Sequence, residues 1–142
     1  MFKQFRKIEK DPIKPGPKSV MSEARKKNSK GGIYGFVHKK NNTLDYIGRS
    51  NNLYERVIIN HQKPSADLAR KMVRDRTGMS GWDYEQKYGI LEGQRIYFKK
   101  AKEILGEYEV IVLEDVNSSV IEGGLIRHYK LLGQAKFNKQ NY

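Results

Sequence analysis

Four residues have the types and spacing that suit hydrolysis of a phosphodiester bond: Tyr34, Tyr46, Arg56 and Glu122. That reaction needs an attacking water, a group that takes its proton, and positive charge for the developing oxyanions. A phenol is a poor base because its unperturbed pKa is about 10, but a neighbouring cation or metal ion lowers that pKa. An arginine supplies fixed charge for phosphate, and a glutamate supplies the hard oxygen that Mg²⁺ or Mn²⁺ prefers.

The sequence around these residues resembles the signature of the GIY-YIG nuclease family. Gly32-Ile33-Tyr34 is followed, after eleven residues, by Tyr46-Ile47-Gly48, and Arg56 comes ten residues after Tyr46. Farther on, Glu122–Arg127 resembles the family's acidic motif, and Phe137-Asn138 resembles its closing asparagine. Each part is weak alone, but together they keep the family's order and intervals.

The resemblance implies a role for each matching residue. Tyr34 would be the general base or would orient the attacking water, and Tyr46 would support it and contact the scissile phosphate. Arg56 would stabilise the transition state, Glu122 would bind the Mg²⁺ or Mn²⁺ ion, and Asn138 would brace the site. Family members cut one strand per active site, so cutting a DNA duplex would need two chains, as in a homodimer, or two successive events.

One position departs from the family pattern. The family usually places a His or Tyr four residues after the helix arginine, one turn along on the same face. Here that position is Asn60, and His61 follows it. His61 reaches the site if the helix ends or tightens before Lys63-Pro64. We therefore keep His61 as a candidate catalytic residue, with the choice between Asn60 and His61 open.

These residues must be positioned by strands and helices, and the predicted elements together form an α+β domain. It consists of a small three-stranded antiparallel sheet flanked by helices. Residues 33–37 and 44–48 form a predicted hairpin, and 107–113 the third strand. In the last predicted helix, Ser119 and Glu122 have the spacing of a capping box, an alternative role for Glu122. The predicted helices cover about residues 51–61, 65–77, 81–88, 95–105 and 117–132.

Residues 64–106 form a predicted helical insertion between the two halves of the signature. The resemblance implies that it sits beside the core and helps to grip the substrate. The residues expected to contact nucleic acid are Arg70, Lys71 and Arg74 in this insertion, and Arg49 and Ser50 after the second strand. The aromatic residues of the insertion suit helix core better than base stacking: Tyr84, Tyr88, Tyr97 and Phe98.

Charge points to a polyanionic partner such as DNA. The 28 Lys and Arg residues outnumber 16 Asp and Glu, giving a net charge of +12. Residues 1–30 carry ten basic and three acidic side chains, or +7. We expect an extended basic arm over 1–18 that lies along nucleic acid and contacts it through Lys14 and Lys18. A short helix is expected near 19–28, ahead of a nuclease domain at 31–142. A frayed, solvated terminus is the alternative.

Composition also excludes several classes. The chain has no cysteine, which rules out disulfides and Cys-based zinc sites. It has no apolar run long enough to span a bilayer, and its start lacks the apolar stretch of a signal peptide. We therefore expect an intracellular protein of the cytoplasm, nucleoid or nucleus, without a membrane partner. The functional alternative to a DNA endonuclease is a nucleic-acid-binding module that kept the fold and lost catalysis.

Overall fold

The computed structural model describes residues 6–7, 31–53, 56, 66–114 and 118–138. Within this part of the chain no helix is long and apolar enough to cross a membrane. Lys14, Lys18, His61 and the helix predicted near 19–28 lie outside the described residues. The described strands and helices are β1 (Arg6–Lys7), β2 (Gly32–His38), β3 (Thr43–Ser50), α1 (Asp67–Thr77), α2 (Gly81–Tyr88), α3 (Ile90–Leu105), β4 (Tyr108–Glu114) and α4 (Ser119–Leu131).

The sheet is antiparallel, with the strand order β1-β4-β2-β3. The last three of these strands are the three-stranded sheet predicted from the sequence, and β1 adds a short fourth strand. Arg6 and Lys7 of β1 pair with Val112 and Ile111 of β4. These two residues belong to the arm expected over residues 1–18, and their strand conformation is extended.

A β-bulge in β3 determines which way Tyr46 points. Phe36 pairs with Tyr46, but the next residue, Val37, pairs with Leu44, so Asp45 is an extra residue on β3. A bulge shifts the alternation of side chains along its strand by one residue. Because of it, Tyr46 lies on the same face of the sheet as Phe36, and Leu44 lies on the other face with Ile47.

Each face of the sheet packs against different helices. The face that carries Tyr34 and Phe36 packs against α1 and α3 through an apolar core. The helix residues of this core include Leu68, Met72 and Val73 from α1 and Ala101, Ile104 and Leu105 from α3. The opposite face packs against α4, whose Ile126 and Tyr129 meet strand residues of β2, β3 and β4. The sheet is therefore the middle layer between the insertion helices and α4.

The helices of the insertion begin and end close to their predicted bounds, with one exception. α1 ends at Thr77 and is capped by Gly78, which has a φ of 72°, and Ser80 and Asp83 form a capping box at the start of α2. α3, however, begins at Ile90 and not near residue 95. The predicted start was wrong because Gly93 disfavours a helix by itself. In the fold, Gly93 lets α3 touch the backbone of α2, where a Cβ would overlap the carbonyl of Tyr84.

The segment after α4 covers the open edge of β3. The amides of Ala135 and Phe137 donate to the carbonyls of Leu44 (2.7 Å) and Asp45 (3.0 Å). The side chain of Gln134 accepts from the amide of Leu44 at 2.7 Å. An uncovered edge strand exposes unpaired backbone groups, so this segment both protects the sheet and fixes β3 in place.

Candidate functional site

Tyr34 lies in the sheet core with its ring over a glycine. It is fully buried on β2, directly opposite Gly48 on β3. A Cβ at Gly48 would overlap the ring and the hydroxyl of Tyr34. The glycine of the second motif is therefore needed for space, because any larger residue would displace the phenol.

The phenols of Tyr34 and Tyr46 meet on the same face of the sheet. Their ring centroids are 6.2 Å apart, and Tyr46 is only partly buried. A hydrogen bond between the two phenols raises the pKa of Tyr34 and lowers the pKa of Tyr46. Tyr46 is therefore both the more accessible phenol and the one whose anion this bond stabilises.

Arg56 completes the cluster. Its Nε donates to the hydroxyl of Tyr34 at 3.4 Å, and this hydrogen bond raises the pKa of the guanidinium. Its backbone amide donates to the carbonyl of Asn52 at 3.1 Å, and the hydroxyl of Ser50 bonds to both backbone groups of Asn52 at 3.0 Å. Ser50, expected to contact nucleic acid, thus fixes the turn that places Arg56 near the tyrosines.

Burial dominates the electrostatics of both phenols. It raises the pKa of Tyr34 and of Tyr46 above the ordinary value, while Arg56 lowers both. The charge of Glu122 raises the pKa of Tyr46 further, because two anions close together repel each other. At neutral pH both phenols of the protein alone are therefore protonated, and added positive charge is needed before either can accept a proton.

Glu122 lies near the start of α4, with Oε1 3.7 Å from Nε of Arg49. Its side chain is 19% exposed; burial raises its pKa, and Arg49 opposes that shift. The predicted capping box was wrong: the N-cap is Ser118, whose Oγ accepts from the amide of Ile121 at 3.3 Å. Glu122 is thus one position beyond the capping-box residue, and its carboxylate is directed to Arg49 and the tyrosine cluster.

The residues present fit a divalent ion bound mainly by water and substrate. Among the described residues, no group of three or more His, Asp or Glu side chains is placed to share a metal ion. Glu122 offers one desolvated but accessible carboxylate, and Mg²⁺ commonly binds through one or two carboxylates plus phosphate oxygens. Glu122 is therefore the candidate ligand, and Arg49 would compete with the ion for this carboxylate.

Asn138 acts on the backbone beside Tyr46. Its Oδ1 accepts from the amide of Ile47 at 2.9 Å, and its Nδ2 donates to the carbonyl of Ile47 at 2.8 Å. The asparagine side chain thus replaces a neighbouring strand at this point of β3. Asn138 is a positioning residue, since it holds the strand that carries Tyr46.

The predicted nucleic-acid contacts divide into two groups in space. Arg49 lies near the tyrosine cluster, because it contacts Glu122, whose charge acts on Tyr46. Arg70, Lys71 and Arg74 lie instead on α1 of the insertion, where all three are exposed. They line a groove between α1 and the other insertion helices, together with exposed aromatic residues.

Two supporting residues were missed by the sequence analysis. The bulged residue Asp45 is buried, and its Oδ2 accepts from the hydroxyl of Tyr108 at 2.6 Å. The only sequence signal for the bulge was the spacing of the apolar residues Leu44 and Ile47. They are three positions apart, and in a regular strand such residues would lie on opposite faces of the sheet. The pair anchors the bulge and thereby the direction of Tyr46.

Comparisons of the chain with protein-family models, with curated proteins and with solved structures find no match. The likeness to GIY-YIG nucleases therefore rests on the residues and motifs of the sequence.

Proposed function

We propose that this protein is a metal-dependent DNA endonuclease of the GIY-YIG type. The observation that carries the proposal is the hydrogen-bonded cluster of Tyr34, Tyr46 and Arg56, within electrostatic range of the Glu122 carboxylate. Hydrolysis of a phosphodiester requires a proton acceptor and positive charge near the phosphate, and this cluster offers both. The net charge of +12 supports a polyanionic substrate.

The surroundings of the two phenols favour Tyr46 as the proton acceptor. Tyr46 is partly accessible, and its hydrogen bond with the fully buried Tyr34 lowers the pKa of Tyr46. In the proposed step, the Tyr46 phenol first releases its proton to solvent, which the positive charge of Arg56 favours. The water oxygen then bonds to phosphorus and the water proton passes to the Tyr46 phenolate. The bond from phosphorus to the leaving oxygen breaks, and that oxygen takes a proton from solvent. Tyr34 then positions Tyr46, which refines the role that the resemblance implies for Tyr34.

Arg56 and Glu122 provide the charges around the reacting phosphate. The guanidinium of Arg56 holds Tyr34 with its Nε and has further donors for a phosphate oxygen. Glu122 would hold Mg²⁺ or Mn²⁺, which when bound neutralises charge on the phosphate and the leaving oxygen. Asn138 keeps β3, and therefore Tyr46, in position during these events.

The alternative is a nucleic-acid-binding module without catalysis. It is favoured by the raised pKa of both phenols and by the contact of Arg49 with the candidate metal ligand. The two functions differ in one measurable result, because a binding module retains nucleic acid without cutting it.

A plasmid-nicking assay tests the proposal. We expect the protein to nick supercoiled DNA with Mg²⁺ or Mn²⁺ and to lose this activity in chelator. Glu122→Gln should abolish nicking, whereas the control Glu103→Gln, an exposed residue of α3 paired with Lys100, should keep it. Nicking that persists in chelator or in Glu122→Gln would overturn the mechanism. Binding without cleavage of any DNA form would favour the binding module.

A further inference from the structure

The helical insertion contains a groove that none of the residues of the tyrosine cluster lines. It lies between α1 and the pair α2–α3 and has a volume of about 670 Å³. Binding sites for small organic groups commonly have volumes of about 300–1,000 Å³. A groove of this size can hold many kinds of ligand, so the class of ligand must be inferred from the residues that line it.

One wall of the groove is aromatic and open to solvent. Trp82 is 66% exposed and Phe98 is 41% exposed, while Tyr97 is buried beside Phe98 with ring centroids 5.8 Å apart. Tryptophan is mostly buried in folded proteins, so an exposed tryptophan in a concave surface indicates a binding role. These flat rings offer stacking surfaces for a planar partner.

The facing wall is cationic. Arg70, Lys71 and Arg74 project from α1 into the groove, and all three are exposed. Arg70 is paired with Asp67, and its charge acts on the phenol of Tyr97. Lys71 donates to the carbonyl of Phe137 at 3.3 Å. Aromatic rings beside a basic track are the usual means by which proteins bind single-stranded nucleic acid.

The cationic wall continues toward the tyrosine cluster. Lys71 and Arg74 also line a second depression of about 400 Å³, together with Lys136 and Asn138. The side chain of Asn138 is bonded to the backbone of Ile47, the neighbour of Tyr46. The two depressions thus share Lys71 and Arg74, and together they run from the groove to Asn138 at the edge of β3, a path that a single nucleic-acid strand can follow.

We propose that this groove binds an unpaired nucleobase of the substrate strand between Trp82 and Phe98, with the strand's phosphates along Lys71 and Arg74. The preferred substrate would then be DNA with a single-stranded or distorted segment beside the cleaved bond. The inference rests on the proposed function for the choice of DNA and for the cleaved bond. A protein partner seated in the same groove is the competing occupant.

The fluorescence of Trp82 tests this inference directly, since it is the single tryptophan of the chain. The full chain is titrated in chelator, to prevent cleavage, with a short oligothymidine and with an abasic oligonucleotide of equal length and charge. We expect oligothymidine to quench the emission by stacking, and the abasic strand to bind with little quenching. Equal quenching by both strands, or binding of oligothymidine without quenching, would overturn the proposal. The groove would then contact only phosphates or bind a protein partner.

A matched pair of variants gives a second measurement. Phe98→Ala should weaken the binding of oligothymidine by roughly 5- to 150-fold, the usual effect of losing one stacked base. It should change the binding of the abasic strand little. The control Leu91→Ala removes a residue of the same helix that is 85% exposed and does not line the groove, and should leave both affinities unchanged. Equal losses for both strands in Phe98→Ala would contradict stacking.

The outcomes separate this inference from the proposed function. If oligothymidine quenches Trp82 but no DNA is ever cut, the groove proposal stands and the nuclease proposal fails. If plasmid is nicked in a Glu122-dependent way but Trp82 never responds to a base, the groove proposal fails alone.

Discussion

Tyr34 and Tyr46 are hydrogen bonded to each other but have different surroundings. Tyr34 is fully buried over Gly48, whereas Tyr46 is partly accessible, and Glu122 acts on it electrostatically. Arg56 donates to Tyr34 and also lowers the pKa of Tyr46. In the proposed mechanism, this difference favours the accessible phenol for proton transfer and the buried one for positioning.

Gly48→Ala tests how tightly the phenol of Tyr34 is packed. The new Cβ would overlap the ring, so we expect a loss of about 1–3 kcal/mol in the free energy of unfolding, together with lost nicking. The control Gly124→Ala adds a Cβ with its nearest neighbour 3.9 Å away in α4 and should be neutral or stabilising. Denaturant unfolding measures both variants. A Gly48→Ala protein as stable and active as the parent would contradict the packing argument.

The pKa shifts predict how the rate depends on pH. Burial raises the pKa of Tyr46, so the reactive phenolate is scarce at neutral pH and becomes more abundant as pH rises. With metal ion in excess, the single-turnover rate should increase by up to about tenfold per pH unit between about pH 7 and 9. A rate that stays constant or falls over this interval would contradict a phenol as the base.

At the scale of elements, the hairpin and its bulge determine the site. The bulge places Asp45 and Tyr46 on the same face, and Tyr108 of β4 donates to the buried Asp45 carboxylate at 2.6 Å. This bond raises the pKa of Tyr108 further, beyond the effect of burial, as expected for a phenol beside a carboxylate. The central strand β4 thus contributes to the site without lining it.

Tyr108→Phe removes the donor and leaves the carboxylate of Asp45 buried without it. We expect a loss of about 1–3 kcal/mol in the free energy of unfolding, and a lower nicking rate because the bulge relaxes. The control Tyr88→Phe removes the hydroxyl of an exposed tyrosine of α2 and should change neither quantity. Stability of Tyr108→Phe equal to that of the parent would show that the bulge does not depend on this bond.

The sequence predicted the strands and helices better than the contacts that fix their details. Apolar and aromatic periodicity was enough for β2, β3 and the glycine-terminated helices. The bulge at Asp45 was not predicted, because its partner Tyr108 is 63 residues away in the chain. The role of Glu122 as a cap was wrong since two adjacent serines compete for the N-cap, and Ser118 takes it. Long-range pairing decided the bulge, which local patterns do not report, whereas the N-cap was a local choice between two neighbouring serines.

At the scale of the whole molecule, Glu107 joins the insertion to the sheet. Its carboxylate accepts from both terminal nitrogens of Arg76, at 2.8 and 2.6 Å, and from Nε2 of His38 at 2.8 Å. Arg76 lies in the last turn of α1, His38 ends β2, and Glu107 precedes β4. The hydrogen bond with Arg76, followed by that with His38, lowers the pKa of Glu107 to about 2.

This lowered pKa predicts a specific loss of stability in acid. The stabilisation is complete above the ordinary pKa of 4.5 and is lost as pH falls toward about 2. Because Glu107 is partly exposed, solvent screening reduces its contribution to about 1 kcal/mol. Glu107→Gln should flatten the fall of the unfolding free energy over this interval, and the control Glu103→Gln should not. The same pH dependence in both variants would contradict the role of Glu107.

The central claim is that the phenol of Tyr46 takes part in phosphodiester hydrolysis. The most direct test compares single-turnover cleavage of supercoiled plasmid by the parent, Tyr46→Phe and the matched control Tyr88→Phe, at equal metal concentration and equal DNA binding. We predict that Tyr46→Phe lowers the rate by about 10²- to 10⁴-fold, the usual contribution of general acid–base catalysis, while Tyr88→Phe cleaves at the parent rate. Cleavage by Tyr46→Phe at the parent rate would contradict the account.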